Sequence, residues 1–337
     1  MMDKEIIMTN TNQSSQTIPP TLDHVIGQQK VVAKLKVAVE SSFFDGEVPL
    51  PHILLTGPPG TGKTMLSKVL SKEMASEFYE ILGQTIVSPQ ALNGFLMSPE
   101  SANSILFIDE CHEMSPWIQT ALYKAIEEGC VFLANEMQQK VQKLKLQPFT
   151  LILATTDPQR LLQPLRDRIK LNCQLRRYTS EDIQLILRQK IRQIGWEVED
   201  EVLEQIANRS FGTPRLALRL MDSVRRTARS LGETNLTIQH ANQTFEIEEM
   251  DSIGLSSDET QYLSILSDSV RPMRLGVIAS RMGLPIEAVA KVVESNLIWL
   301  GYVDRSEQGR SLTVSGLEHI QNQRSVSSDQ QRDGGQQ

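Results

Sequence analysis

The chain is poor in cysteine: Cys111, Cys130 and Cys173 are its only three among 337 residues, far apart and with no CxxC pair. That spacing excludes a zinc ribbon and a disulfide framework, and it fits thiols kept in a reducing cytosol. Long hydrophobic runs are missing as well, since no apolar stretch approaches the roughly 18 residues of a membrane span. The polar segment Asn10 to Gln16 is not a signal peptide, so a cytoplasmic protein with no membrane partner is expected. Nor is there an excess of positive charge. A net charge of -7 excludes coating of nucleic acid by bulk charge, although it is compatible with a local basic face.

What is present describes a globular protein, 40% hydrophobic with interspersed charges and too long for one compact core. Two or three domains are expected. The ends, 1–18 and 322–337, the latter rich in Ser, Gln, Asp and Gly, are expected to be disordered tails.

The most informative stretch is Gly57-Pro58-Pro59-Gly60-Thr61-Gly62-Lys63-Thr64. The apolar run Ile53 to Leu55 before it has the character of a buried strand, and Met65, Leu66, Val69, Leu70 and Met74 after it have helical spacing. Glycines at such a strand-to-helix turn make a P-loop. Gly57, Gly60 and Gly62 let backbone N–H groups close around a phosphate, with Pro58, Thr61 and Met65 counted among the nucleotide-binding positions. Lys63 is placed to reach the β and γ phosphates, and the Thr64 hydroxyl to bind Mg²⁺. Upstream, the apolar pair Val25-Ile26 before Gly27 can form one wall of an adenine pocket or belong simply to the core.

The second nucleotide element is Ser104-Ile105-Leu106-Phe107-Ile108-Asp109-Glu110-Cys111-His112. Four apolar residues ending in two carboxylates describe a buried parallel strand that delivers acids to the ligand edge of a sheet. Asp109 is expected to hold Mg²⁺ directly or through water, and Glu110 to polarise the attacking water. His112 is expected to make a structural or coupling hydrogen bond rather than to act in catalysis. A helix from Pro116 to Glu128 follows, then two strand-like runs, Cys130 to Ala134 and Val141 to Leu146, bracketing the polar Asn135 to Lys140 and suggesting a protruding hairpin.

Phe149 to Thr156 is a further buried strand. Thr156, or alternatively Thr155, can position water against a γ-phosphate, and a strand-end cap is the other reading of both. The run Arg166-Asp167-Arg168 offers an arginine to a neighbouring subunit's nucleotide site, and by itself equally describes a solvated cluster. Ser180 to Met250 has a helical pattern, in which Gly212-Thr213-Pro214-Arg215 opens a helix with Arg215 available to an anion. From Asp258 to Ile320 the pattern is three helices and two short strands, a winged helix that suits DNA or protein docking.

In this order the motifs resemble the RuvB family, the bacterial Holliday-junction branch-migration motors of the AAA+ class, from about Thr21 to Ile320. The resemblance implies an α/β protein: an AAA+ P-loop ATPase core with a parallel sheet over 19–178, a small helical lid domain over 179–250 and a C-terminal winged helix over 251–321. It implies ATP with Mg²⁺, and a homo-oligomer, a hexamer, around double-stranded or junction DNA. Lys63, Thr64, Asp109 and Glu110 become the hydrolytic set, Thr156 sensor 1, Arg168 a finger acting in trans, and Arg215, preceded by Pro214, sensor 2. Tyr178 matches an aromatic near the nucleotide pocket, and Arg305 and Arg310 are wing residues facing DNA. A RuvA-like junction-binding protein would dock on the hairpin 130–147, whose tip here departs from the family's Gly- and Pro-containing form. An ATP-switched scaffold whose winged helix docks a protein is the alternative, and a clamp-loader-like ATPase a third.

Overall fold

The computed structural model describes residues 18–46, 48–101, 103–135, 140–269 and 271–333. Residues 1–17 of the expected N-terminal tail, 136–139 of the expected hairpin tip and 334–337 of the C-terminal tail lie outside the described residues.

The N-terminal part runs α1 (Gln29–Phe44), β1 (Ile53–Thr56), α2 (Lys63–Glu73), β2 (Phe78–Leu82), α3 (Pro89–Leu96), β3 (Ser104–Asp109) and α4 (Pro116–Glu128). It continues with β4 (Cys130–Asn135), β5 (Lys140–Lys145), β6 (Phe149–Thr155), α5 (Gln163–Arg168) and β7 (Leu171–Gln174). Five strands pair in parallel in the order β2-β3-β6-β1-β7. Their side chains alternate between two apolar layers. Leu54, Leu106, Ile108, Leu151 and Leu153 pack with Leu92, Ile118, Leu122 and Leu165 of α3, α4 and α5. Ile53, Leu55, Ile105, Phe107, Ile152 and Ala154 pack with Val31, Leu35, Leu66 and Leu70 of α1 and α2. With both faces covered, the strands need apolar residues at every position, which is why they appear as unbroken apolar runs.

β4 and β5 form the expected antiparallel hairpin, pairing Cys130 with Lys145 and Leu133 with Gln142. The three cysteines are free and buried. No described helix is long and apolar enough to cross a membrane.

The chain forms two compact units, 1–190 with 213–215, and 191–212 with 216–337. Two helices pass from the first unit into the second, α6 (Ser180–Gln193) and, after α7 (Asp200–Arg209), α8 (Pro214–Ser230). In the second unit α7 packs on α9 (Ile238–Ile247), and β8 (Glu197–Val198) pairs with β9 (Asn235–Leu236). The winged helix follows as α10 (Ser257–Ser267), α11 (Leu275–Met282), α12 (Ile286–Ala288) and α13 (Glu294–Trp299), then β10 (Val303–Ser306), β11 (Gly309–Leu312) and α14 (Val314–Asp333). A π-helical turn, Val289–Val293, joins α12 to α13. The segment expected as lid contributes a residue to the core of the winged helix. Phe211 packs into the cluster of Leu255, Tyr262, Leu263 and Leu297, and Arg209 donates to the Asp251 carbonyl at 3.0 Å.

The C-terminal stretch differs from the expected tail. α14 continues through 322–333, and no Gly or Pro lies between Leu317 and Asp333 to stop it. The wing turn is tight, with Glu307 and Gln308 alone between Ser306 and Gly309, which pair.

His52 precedes β1 and ties it to β6. Its Nδ1 accepts from the Leu151 N–H at 3.0 Å, and its ring stacks on Phe149. Burial, with the nearby Lys170 charge, pulls the imidazole down to about 4. Between pH 6.5 and about 4 the unfolded chain therefore carries a proton that the folded chain refuses, and stability falls as pH drops through that window. The loss amounts to roughly 3 kcal/mol or less. Urea melts of wild type should lose stability over this range, and His52→Asn, which keeps an acceptor but does not titrate, should lose correspondingly less.

Candidate functional site

Parallel pairing places the ends of β1, β3 and β6 at one edge of the sheet. Thr56 pairs with Thr155, and Ile108 with Leu153, so Thr64, Asp109, Glu110 and Thr156 all emerge there. The P-loop turns between β1 and α2 with Gly57, Gly60 and Gly62 all at positive φ. Gly60 is also sterically required, because a Cβ there would stand 2.7 Å from Thr213 Cγ2 and 3.0 Å from Arg215 Cβ. Thr61 is fully buried and donates to the Pro58 carbonyl at 2.8 Å, closing the loop on itself.

Lys63 is 6% exposed, and its Nζ donates to the carbonyls of Gly57 at 2.9 Å and Pro58 at 3.1 Å. Burial holds its pKa below the usual lysine value, opposed by the charges of Glu110 and Asp109. A desolvated ammonium at a helix N-terminus, hydrogen-bonded to neutral carbonyls, suits a phosphate. The Thr64 hydroxyl donates to Asp109 Oδ2 at 3.1 Å, and the Glu110 N–H donates to Asp109 Oδ1 at 3.0 Å. Among the described residues no three His, Cys, Asp or Glu converge on a metal position. Thr64 and Asp109 instead offer two hard oxygens, the donor set of an Mg²⁺ that takes its remaining ligands from phosphate and water.

Glu110 stands in the left-handed region at φ 44, an uncommon conformation for this residue. Its Oε2 accepts from the Thr156 hydroxyl at 3.2 Å and from the Thr156 N–H at 3.4 Å. Thr155 is engaged elsewhere, accepting from the Asp157 N–H at 3.0 Å and touching His112 Nδ1 at 3.0 Å. Of the two threonines, Thr156 is thus the one beside the carboxylate.

On the other side of the loop the Tyr178 hydroxyl donates to the Thr61 carbonyl at 3.3 Å, and burial pushes its phenol up to about 12. Val25 and Ile26 are partly buried, Val25 against the α1/α2 layer, which also takes Met65. Pro214 is the first residue of α8, and the Arg215 N–H donates to the Gly60 carbonyl at 3.4 Å with its side chain exposed. Arg168, one-third exposed, closes α5, where its Nη2 donates to Glu127 Oε1 at 2.7 Å and its guanidinium lies over Tyr123.

The wing departs from expectation. Arg305 is exposed, but Arg310 turns inward and donates to Glu294 Oε1 at 2.6 Å and Oε2 at 3.3 Å. Glu294, 2% exposed, also accepts from the Tyr262 hydroxyl at 2.8 Å. A buried carboxylate needs a cation, and Arg310 answers that need. The acid lies 16 residues upstream in another element, so no local pattern reveals the pair.

Sequence spacing also misses Gln28, whose amide clamps the Arg176 backbone by donating to its carbonyl at 2.6 Å and accepting from its N–H at 3.1 Å. Glu113 and Arg160, joined at 2.9 Å, are missed for the same reason of distance along the chain.

Three family models match. The Holliday junction DNA helicase RuvB P-loop domain matches residues 17–175, the RuvB AAA lid domain 178–251 and the RuvB C-terminal winged helix domain 252–321. The Holliday junction branch migration complex subunits RuvB of Thermotoga petrophila and Thermotoga maritima are each 32% identical over 306 residues, covering 90% of this chain and 91% of theirs. The solved Thermotoga maritima RuvB Holliday junction branch migration motor superposes with a TM-score of 0.78 at 32% identity, over 90% of this chain and 98% of that one. A solved mutant of the same Thermotoga maritima RuvB gives 0.79 at 31% identity with the same coverage. With its P-loop edge, lid segment and winged helix each matched in order, the chain belongs to the RuvB family of AAA+ P-loop ATPases.

Proposed function

We propose that this protein is an ATP-hydrolysing motor that moves double-stranded or junction DNA in recombination and repair, working in the cytoplasm as a hexameric ring of identical chains. The observation that carries the proposal is the pair of contacts at the sheet edge, Thr64 to Asp109 at 3.1 Å and Thr156 to Glu110 at 3.2 Å. They set a metal-binding position beside a carboxylate free of the metal ligands, an arrangement suited to hydrolysis beyond nucleotide binding. The working parts are an ATPase domain over 19–178, a lid over 179–250 and a winged helix over 251–321.

ATP phosphates would lie on the backbone N–H groups of Gly57, Gly60, Thr61 and Gly62, with Pro58 shaping the turn and Lys63 at the β and γ positions. Mg²⁺ held by Thr64 and Asp109 supplies neutralisation of phosphate charge when bound. Val25, Ile26, Met65 and Tyr178 border the base and sugar. Glu110 orients the attacking water and takes up its developing positive charge, while Thr156 holds that carboxylate and senses the γ-phosphate. Arg215 approaches the phosphates from the Pro214 helix start. Arg168, reaching into the neighbouring chain's pocket, stabilises charge on the transferred group, which is why a ring is needed. Arg305 remains the wing's contact for DNA, and the hairpin 130–147 is the docking element for a RuvA-like junction-binding protein.

A second function, an ATP-switched scaffold whose winged helix docks a protein, is favoured by one observation. The stretch α12, turn and α13 leaves three large apolar side chains exposed, Ile286 (55%), Val292 (68%) and Trp299 (50%), a kind of surface that suits a protein partner.

Lys63→Ala should lose ATP binding, whereas Glu110→Gln and Arg168→Ala should bind a fluorescent ATP analogue normally and hydrolyse ATP roughly 100-fold more slowly or worse. Wild-type turnover in Arg168→Ala would contradict a pocket completed in trans. Four-way-junction or duplex DNA should stimulate hydrolysis, with stimulation falling steeply as salt rises. Turnover indifferent to DNA would favour the scaffold.

A further inference from the structure

His112 lies within the hydrolytic edge without belonging to the set that meets nucleotide. Its side chain is 10% exposed, and both ring nitrogens are engaged. Nδ1 is 3.2 Å from Glu110 Oε2 and 3.0 Å from the Thr155 hydroxyl, and Nε2 is 3.1 Å from Glu113 Oε1. Glu113 is fixed in turn by Arg160 at 2.9 Å. A continuous line of polar contacts thus runs Glu110, His112, Glu113, Arg160. It begins at the carboxylate that would orient water and ends at an ion pair whose side chains are 43% and 52% exposed.

Each contact restricts the next. Glu110 and Glu113 both accept only, so the ring holds the two carboxylates together with a proton on each nitrogen, as the imidazolium, and the pair of contacts fixes which way it faces. Cys111, wholly buried next to it, anchors the short helical turn Cys111–Glu113 that carries the ring. Glu110 itself has a long side chain that is 38% exposed, on a backbone held in the left-handed region. Thr156 restrains its Oε2 from one side, and His112 Nδ1 meets the same oxygen from another. A hydroxyl hydrogen bond and an imidazolium charge on one oxygen restrict where the carboxylate points more than a single hydroxyl does.

We infer that His112 is a positioning residue for ATP hydrolysis: through Nδ1 it holds the Glu110 carboxylate where water is to be activated, with Glu113 and Arg160 setting its ring. The inference rests on Glu110 being the water-orienting group. It assigns the histidine's contribution to the Nδ1 side, and side-chain length separates the two nitrogens. In His112→Asn an amide stands near the Nδ1 position, within reach of Glu110. In His112→Gln it reaches instead toward the Nε2 position and Glu113.

The experiment measures kcat for ATP hydrolysis by the full-length protein, Kd for a fluorescent ATP analogue and thermal stability for His112→Ala, His112→Asn, His112→Gln and Glu110→Gln. Expected are a roughly 10- to 100-fold loss of kcat in His112→Ala and His112→Gln, substantial retention in His112→Asn, and an unchanged Kd in all three. Equal kcat loss in the Ala, Asn and Gln variants, tracking lowered melting temperatures, would overturn the inference in favour of a structural histidine. Wild-type kcat in His112→Ala alongside an inactive Glu110→Gln would overturn it while leaving the role of Glu110 standing. Full turnover in Glu110→Gln would instead remove the reading of Glu110 on which it rests.

Discussion

The register of three parallel strands is the constraint on which the chemistry depends. β1, β6 and β3 are neighbours, and they end together at Thr56, Thr155 and Asp109. A slip of one residue in any of them would turn its apolar set to the opposite layer and retract its polar end from the edge. The two apolar layers therefore do more than stabilise the sheet. By fixing register, Leu106, Ile108, Leu151 and Leu153 on one face and Phe107, Ile152 and Ala154 on the other bring Asp109 to Thr64 and Glu110 to Thr156.

Much of this edge was legible from residue order alone. The P-loop announces itself because its glycines, lysine and threonine are consecutive, and Asp109-Glu110 because four buried residues precede them. Local motifs of that kind keep their meaning when the chain folds, since the backbone turn and the chemistry come from the same few residues. Thr155 and Thr156 could not be separated by sequence, because adjacent residues at a strand end point to opposite sides. Hydrogen bonding separates them: Thr156 meets Glu110, and Thr155 meets His112 and Asp157.

What escaped the sequence was carried by contacts across long separations. Arg310 has the look of a wing cation until Glu294 is found buried beneath it. Gln28 looks like a helix-start residue until its amide is found on the backbone of Arg176. The division into parts was blurred in the same way. A helix-rich segment and a winged helix each have their own pattern, but Phe211 of the first lies in the core of the second. For Arg310 and Phe211 burial created a need, for a counter-charge or for apolar cover, that a distant residue filled.

The most direct test of the sheet edge as the site of Mg²⁺-dependent ATP binding is equilibrium binding of a fluorescent ATP analogue to the full chain, with Mg²⁺ and with EDTA, for wild type and Asp109→Asn. If Thr64 and Asp109 hold the metal against the phosphates, wild type binds more tightly with Mg²⁺, and Asp109→Asn loses most of that gain while binding in EDTA stays close to wild type. An undiminished Mg²⁺ gain in Asp109→Asn would place the metal elsewhere and contradict the assignment of this edge.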